Sequence, residues 1–167
     1  MASPLIANFQ ALARYNVLAN QRLYAACAEL GDAGRKQDRQ AFFSSIHGTL
    51  NHILLADRLW MARFEGAPIT TYRLNDILYQ DFGDLSAARI AEDARITAFT
   101  DSMTDAFAAR TLTWTNFAGR TSSEVQSILV THMFNHQTHH RGQVHNMLTQ
   151  AGVAAPVLDL PWVLRDF

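Results

Sequence analysis

His132-Met-Phe-Asn-His-Gln-Thr-His-His-Arg-Gly-Gln-Val144 decides how this chain is read. Five of the protein's seven histidines lie between His132 and His145. No proline interrupts the stretch, and Leu129, Met133, Val144 and Leu148 recur at helical intervals. Each residue of a helix advances about 100°, so His136 and His140 stand one above the other on one face. Such a pair aims two imidazole nitrogens at one point, as the histidines of a His-Glu-x-x-His zinc motif do. Gln137 takes the place of that motif's Glu, so no general base is built in. The alternative is a solvated or hydrogen-bonded histidine pair. Phe134, Val144, Met147 and Leu148 interleave with the two histidines and set them on or beside a buried face. A buried imidazole wants a partner for each ring nitrogen, and a metal plus an outer acceptor supplies both. A mononuclear catalytic site usually takes three protein ligands and water, so a third ligand has to come from elsewhere.

Immediately upstream, Thr121-Ser-Ser-Glu124 fits a capping box and predicts a helix from about Ser122 to Gln150, closed by Gly152. Thr111-Leu-Thr-Trp-Thr-Asn-Phe117 alternates like a strand but is too short for more than a hairpin fragment or an extended linker. A helix is expected from about Leu85 to Ala109. Its charges (Arg89, Glu92, Asp93, Arg95, Asp101, Asp105) read mostly as a solvated face. Residues 67–84 read as a connection with a short helical turn at Leu74–Tyr79.

Another helix is expected from about Gln40 to Phe64, with Ile46, Leu50, Ile53, Leu54, Leu59 and Trp60 on a wide apolar face. His52 sits in its stronger apolar stripe. His47 is about 140° away around the helix, so the two histidines cannot share a face. His52 is therefore the candidate third ligand, against the reading of a satisfied core histidine. The first helix spans residues 5–30, with Pro4 suited to its start and Gly31 and Gly34 stopping it. Asn16 and Asn20 share a face of it. They read as solvent-exposed or bonded between helices, or else as the wall of a polar pocket.

Four long amphipathic segments predict an all-α chain: a single four-helix-bundle domain over residues 1–167, with a short C-terminal tail from Val153 packed on it. Ligands in bundles project from facing helices, which lets His52 meet His136 and His140. Hydrophobic residues make up 49 % of the 167 and charged residues 17 %, a globular composition rather than a disordered one. The net charge of −1, without a basic block, argues against nucleic acid as a partner. No apolar run approaches the ~18 residues that span a bilayer. Met1-Ala-Ser-Pro-Leu-Ile6 lacks the features of a signal peptide. Cys27 is the lone cysteine and cannot form an intramolecular disulfide, which suits a reducing cytoplasm.

The chain as a whole resembles the DinB-like family. Asn135-His-Gln-Thr-His-His-Arg-Gly-Gln143 resembles its fourth-helix signature, and Leu50-Asn-His-Ile-Leu-Leu-Ala-Asp57 with Trp60 its second-helix histidine segment. Tyr15-Asn-x-x-Ala-Asn20, Asp76-Ile-Leu-Tyr-Gln-Asp-Phe82 and Leu158-Asp-Leu160 extend the likeness along nearly the whole chain. The resemblance implies an up-down-down-up bundle, often a homodimer, with a divalent metal on three histidines. Matched residue by residue, these are His52, His136 and His140. It also implies kinship with S-transferases or isomerases that use bacillithiol, mycothiol or glutathione.

Zinc or nickel suits imidazole ligation. Three neutral ligands leave the ion's 2+ charge intact, which favours a thiolate or hydroxide. The leading expectation is a thiol-dependent S-transferase acting on a small-molecule thiol or electrophile. A metal-dependent hydrolase is weaker, because no Asp or Glu lies beside the histidine pair. A non-catalytic, stress-response metal or ligand binder is the third reading. His132 is a possible fourth ligand but reads better as pocket wall or interface. His139 reads as facing a neighbour or solvent, and His145 and His47 as structural or exposed. Gln143 returns to the face of His136 and either orients a bound molecule or bonds between helices. Arg141 ties helices or subunits together, with Gly142 beside it allowing close approach. Cys27 reads as a small core residue with no cationic neighbour. Trp60, Met61, Phe64, Phe99 and Phe107 exceed what one buried stripe requires. That points to a dimer face, unless the tail covers it.

Overall fold

A computed structural model describes residues 2–69, 73–116 and 119–166. Helix α1 spans Pro4–Ala28, opened by Ser3, whose hydroxyl accepts from the Ile6 amide, and by Pro4 at the first turn. Both choices satisfy the unpaired start of a helix. A short α2, Asp32–Lys36, follows. Helix α3 runs Ile46–Glu65, starting at Ile46 and not at Gln40, because Ser45 caps it through the Gly48 amide. The residues before it turn back on themselves through left-handed backbone at Gln40 and Ser44. Gly66 ends α3 at φ 66°, a conformation glycine adopts without cost.

Helix α4, Phe82–Asp101, is capped by Asp81. It stops there instead of reaching Ala109, since Thr104 caps a separate α5, Asp105–Ala108. No helical turn forms over Leu74–Tyr79; that stretch holds only a tight turn closed from the Asp76 amide to the Arg73 carbonyl.

The expectation of an all-α chain needs correcting. Strand β1, Thr111–Thr115, pairs antiparallel with β2, Thr121–Val125, Thr111 facing Val125 and Thr115 facing Thr121. Thr121 and Glu124 thus lie in a strand and form no capping box. The hydroxyls of Thr113 and Ser123, and of Thr115 and Thr121, bond across the pair, and such cross-strand pairs stabilise a ladder. Phe117 of the alternating stretch lies outside the described residues. Helix α6 starts later than expected, spanning Gln126–Gln150, with the Gln126 amide bonded to the Arg110 carbonyl. The tail ends in α7, Leu160–Val163, and a 3-10 turn at Leu164–Asp166. Val163 is fully buried and the Tyr15 hydroxyl donates to the Leu158 carbonyl, so the tail packs as expected.

Helices α1 and α3 each pack against both α4 and α6. Two apolar clusters result. One joins Ile6, Phe9, Trp60, Met61, Phe64, Ile96 and Met133. The other joins Leu23, Ile46, Leu50, Leu54, Leu85, Val144 and Leu148. Trp60, Met61 and Phe64 are buried inside this one chain, with Phe99 and Phe107 packed on them. They therefore leave no spare face, and the aromatic excess ceases to be an argument for a dimer.

On every long helix a polar segment separates the two clusters. Asp57, Arg89, Asp93 and Arg141 meet there, with Asn16, Asn20 and Gln137. Arg89 bridges Asp57 at 2.5 Å and Asp93 at 2.9 Å. Asn16 and Asn20 donate to Asp93, Gln137 donates to Asp57, and Arg141 donates to Asn16. Arg89, Glu92 and Asp93 are thus buried, Arg89 to 2 % exposure, and the solvated-face reading fails for them. Two guanidiniums against two carboxylates keep the layer balanced, and buried charges persist only when paired and hydrogen-bonded. Asn16 and Asn20 belong to this interhelical network.

Candidate metal centre

His52 on α3 faces His136 and His140 on α6. Its Nε2 lies 3.2 Å from the His136 Nε2, which lies 3.0 Å from the His140 Nε2. One ligand atom from each of the three falls within 4.8 Å of the others. The outer nitrogens fix the tautomers. His52 Nδ1 lies 2.8 Å from the Leu74 carbonyl oxygen, and His140 Nδ1 lies 2.8 Å from the Gln143 Oε1. A carbonyl oxygen only accepts, so both Nδ1 atoms carry the proton and both Nε2 atoms present lone pairs. His136 can place one N–H between them at most. At least one of the two close contacts therefore sets lone pair against lone pair, and a cation at the centre relieves it. Three convergent neutral imidazoles, two of them with fixed outer bonds, form a group that could hold a divalent ion.

Electrostatics agree. Burial pushes the His52 imidazole down to about 4 against the pull of its Leu74 bond. Burial, then His140 and His52, push His136 down to about 3. His140 is lowered too, chiefly by burial, with Gln143 opposing. All three are neutral at pH 7 and ready to ligate.

The other histidines take separate places. His132 stands against Trp60, ring centroids 5.2 Å apart, and is pocket wall outside the nitrogen cluster. His139 is exposed at the rim and bonded to Gln143 Nε2. His47 is buried, its Nε2 2.8 Å from the Tyr79 carbonyl, and His145 lines a separate groove beside Tyr15. Gln143 bridges the His140 and His139 rings. Gln137 points to Asp57, so the position a metalloprotease gives its base serves the buried network here. Cys27 is buried, its thiol pushed up to about 12 by desolvation. Arg35 is a cationic neighbour that the sequence did not reveal, and it pulls the other way without prevailing.

Besides the Leu74 carbonyl, sequence reasoning missed four contributors. Phe43 stacks on His52 with ring centroids 3.8 Å apart. Arg63, Trp114 and Asn116 join Leu59, Trp60 and the histidines around a cavity of about 510 Å³. Gly48 carried a faint signal: a Cβ there would lie 2.3 Å from the Phe43 carbonyl oxygen, so only glycine lets this loop close over α3. Trp114 and Asn116 come from the hairpin region, whose pairing the sequence left undecided.

The sequence model of the DinB family matches residues 3–166. The chain is 28 % identical over 157 residues to Protein DinB of Bacillus subtilis (strain 168), covering 89 % of this chain and 88 % of that protein. A DinB-like protein from Bacillus cereus ATCC 10987 has the same fold, with a TM-score of 0.62 at 19 % identity over 83 % of this chain and 89 % of that one.

Proposed function

The chain belongs to the DinB family, and from that premise we propose that His52, His136 and His140 hold a divalent metal ion, zinc or nickel, in a thiol-dependent S-transferase. The observation that carries the reading is the convergence of three Nε2 atoms, two of them on rings whose outer nitrogens are fixed by Leu74 and Gln143. A bound ion would supply the positive charge that lowers a thiol's pKa and keeps it as thiolate near neutral pH. The protein's own residues do the rest. Leu74 and Gln143 hold two imidazoles in the ligating tautomer. Phe43 covers His52, and Leu59, Trp60 and Trp114 wall the cavity with apolar surface. The sulfur forms the new bond to the electrophile, whose leaving group departs with the pair from the broken bond, and the thiol proton passes to bulk water.

Among the described residues the cavity lining holds no Asp or Glu. That favours the transferase over a metal-dependent hydrolase, which needs a base for its water. The homodimer, the up-down-down-up order of the long helices and the cytoplasmic location belong to the same reading. The two apolar clusters support the helix order: one joins the first turns of α1 and α6 to the last turns of α3 and α4, and the other joins the opposite ends. Turnover of a model aryl halide with a small thiol tests the activity. Turnover abolished by a chelator and restored by zinc or nickel supports it; none at any loading leaves the stress-response binding protein as the better account. A mass near 18.7 kDa in light scattering would reject the dimer.

A further inference from the structure

Arg63 is the unexplained charge in the cavity. It lies on the same face of α3 as His52, three turns on, which is about 16 Å along the axis. His52 meets His136 while Trp60 meets His132. The two helices therefore run antiparallel, and the cavity extends along both from the three-histidine cluster towards Arg63. The Arg63 guanidinium lies over the Trp60 ring, 4.6 Å from its centroid. Its Nε is buried without a hydrogen-bond acceptor. Among the described residues no carboxylate lies within ion-pair distance of it.

The contrast with the other arginines of α3 and α4 is informative. Arg89 has Asp57 and Asp93; Arg58 and Arg95 share Glu92, and Arg95 also holds Glu65. Glu65, two residues from Arg63, is thus turned away. The last turn of α3 welcomes a cation, which accounts for a positive charge there. It does not account for a guanidinium set in a cavity wall with an unused donor. A planar, partly desolvated guanidinium stacked on an indole is suited to bidentate capture of a carboxylate.

We propose that Arg63 anchors the carboxylate of the cavity's ligand, which makes that ligand an elongated amphiphile. Its reactive end lies at His52, His136 and His140, its apolar body against Trp60 and Trp114, and its carboxylate at Arg63. The identity of the reactive end as a thiol rests on the function proposed above; the carboxylate at Arg63 does not.

The test uses two probes of one length, ω-mercaptoundecanoate and ω-mercaptoundecanol, whose extended chains match the separation of Arg63 from His52. Binding is followed by the tryptophan fluorescence of the full chain, in which Trp60 and Trp114 wall the cavity. Titrations are run on zinc-loaded and on chelated protein. A charge-assisted pair at a half-exposed site predicts roughly tenfold tighter binding of the acid in both forms. Arg63→Gln should bring the two probes together by weakening the acid alone, and Arg63→Lys should keep part of the preference. Equal affinity of the two probes for the native protein would overturn the proposal, as would a preference that survives in Arg63→Gln. Zinc tightening both probes speaks for the thiol reading. Zinc without effect, with the acid still preferred, would refute that reading and leave the Arg63 anchor standing.

Discussion

Phe43 lies nearly flat on His52, the ring centroids 3.8 Å apart and the planes 19° from parallel. The same ring meets His140 edge-on at 5.5 Å. A loop with left-handed Gln40 and Ser44 therefore sets the orientation of two site histidines from outside the helices that carry them.

Gly48→Ala tests this dependence. The added methyl would meet the Phe43 carbonyl, and since backbone must move, the expected cost is about 1–3 kcal/mol of stability. Zinc affinity should fall with it, because His52 loses its cover. Phe43→Leu should spare most of the stability and lower zinc affinity. Thermal melts with and without zinc read both; a Gly48→Ala protein with native melting and native zinc affinity would refute the close packing.

Gln143→Leu removes the acceptor for the His140 Nδ1–H without touching a ligating nitrogen. Partners of this kind typically contribute 10- to 100-fold in metal affinity, and a drop in that range is expected in competition with a chromogenic chelator. Gln143→Glu keeps an acceptor and should retain most of the affinity.

The metal-free protein should lose stability on mild acidification. His52 and His136 are depressed to about 4 and about 3 in the folded state, against about 6.5 unfolded. Below 6.5 the unfolded chain binds more protons than the folded one. The stability contributed by the neutral rings is thus complete above 6.5 and is lost as pH falls towards 3–4. Asp93 acts in the opposite sense: burial raises it to about 6, and its contribution fades as pH rises through that value. Urea denaturation between pH 7.5 and pH 4.5 should therefore show a shallower decline in a His52→Ala, His136→Ala double variant than in the native chain. Parallel curves would contradict the assignment.

The buried polar layer makes a separate prediction. Asp57→Ala leaves the Arg89 guanidinium half-paired in the core and should cost roughly 3–5 kcal/mol. Replacing both partners, Asp57→Leu with Arg89→Met, should cost less than the single change. Chemical denaturation of the three variants decides it.

The sequence carried the long helices well, because Leu50, Leu54, Met133 and Leu148 repeat at the helical period. His136 and His140 were legible from their spacing alone. Pairing them with His52 took the bundle argument and the family likeness. Arg89, Glu92 and Asp93 were misread because an i, i+4 pair of opposite charges has the same pattern in a buried layer as on a wet surface. Thr121 and Glu124 satisfied a capping pattern locally, yet pairing with Thr111–Thr115 claimed their backbone. Phe43, Leu74 and Arg63 reach the site from a loop, a main-chain carbonyl and a helix end. None of the three leaves a periodic trace.

The central claim is that His52, His136 and His140 together hold one divalent ion. Its most direct measurement is the metal content of the purified, zinc-loaded chain and of the His52→Ala, His136→Ala and His140→Ala variants, each checked for native helicity. About one ion per chain in the native protein, lost in every single variant, is the predicted result. A content unchanged by all three substitutions, or a native chain that takes up no divalent metal at all, would contradict it.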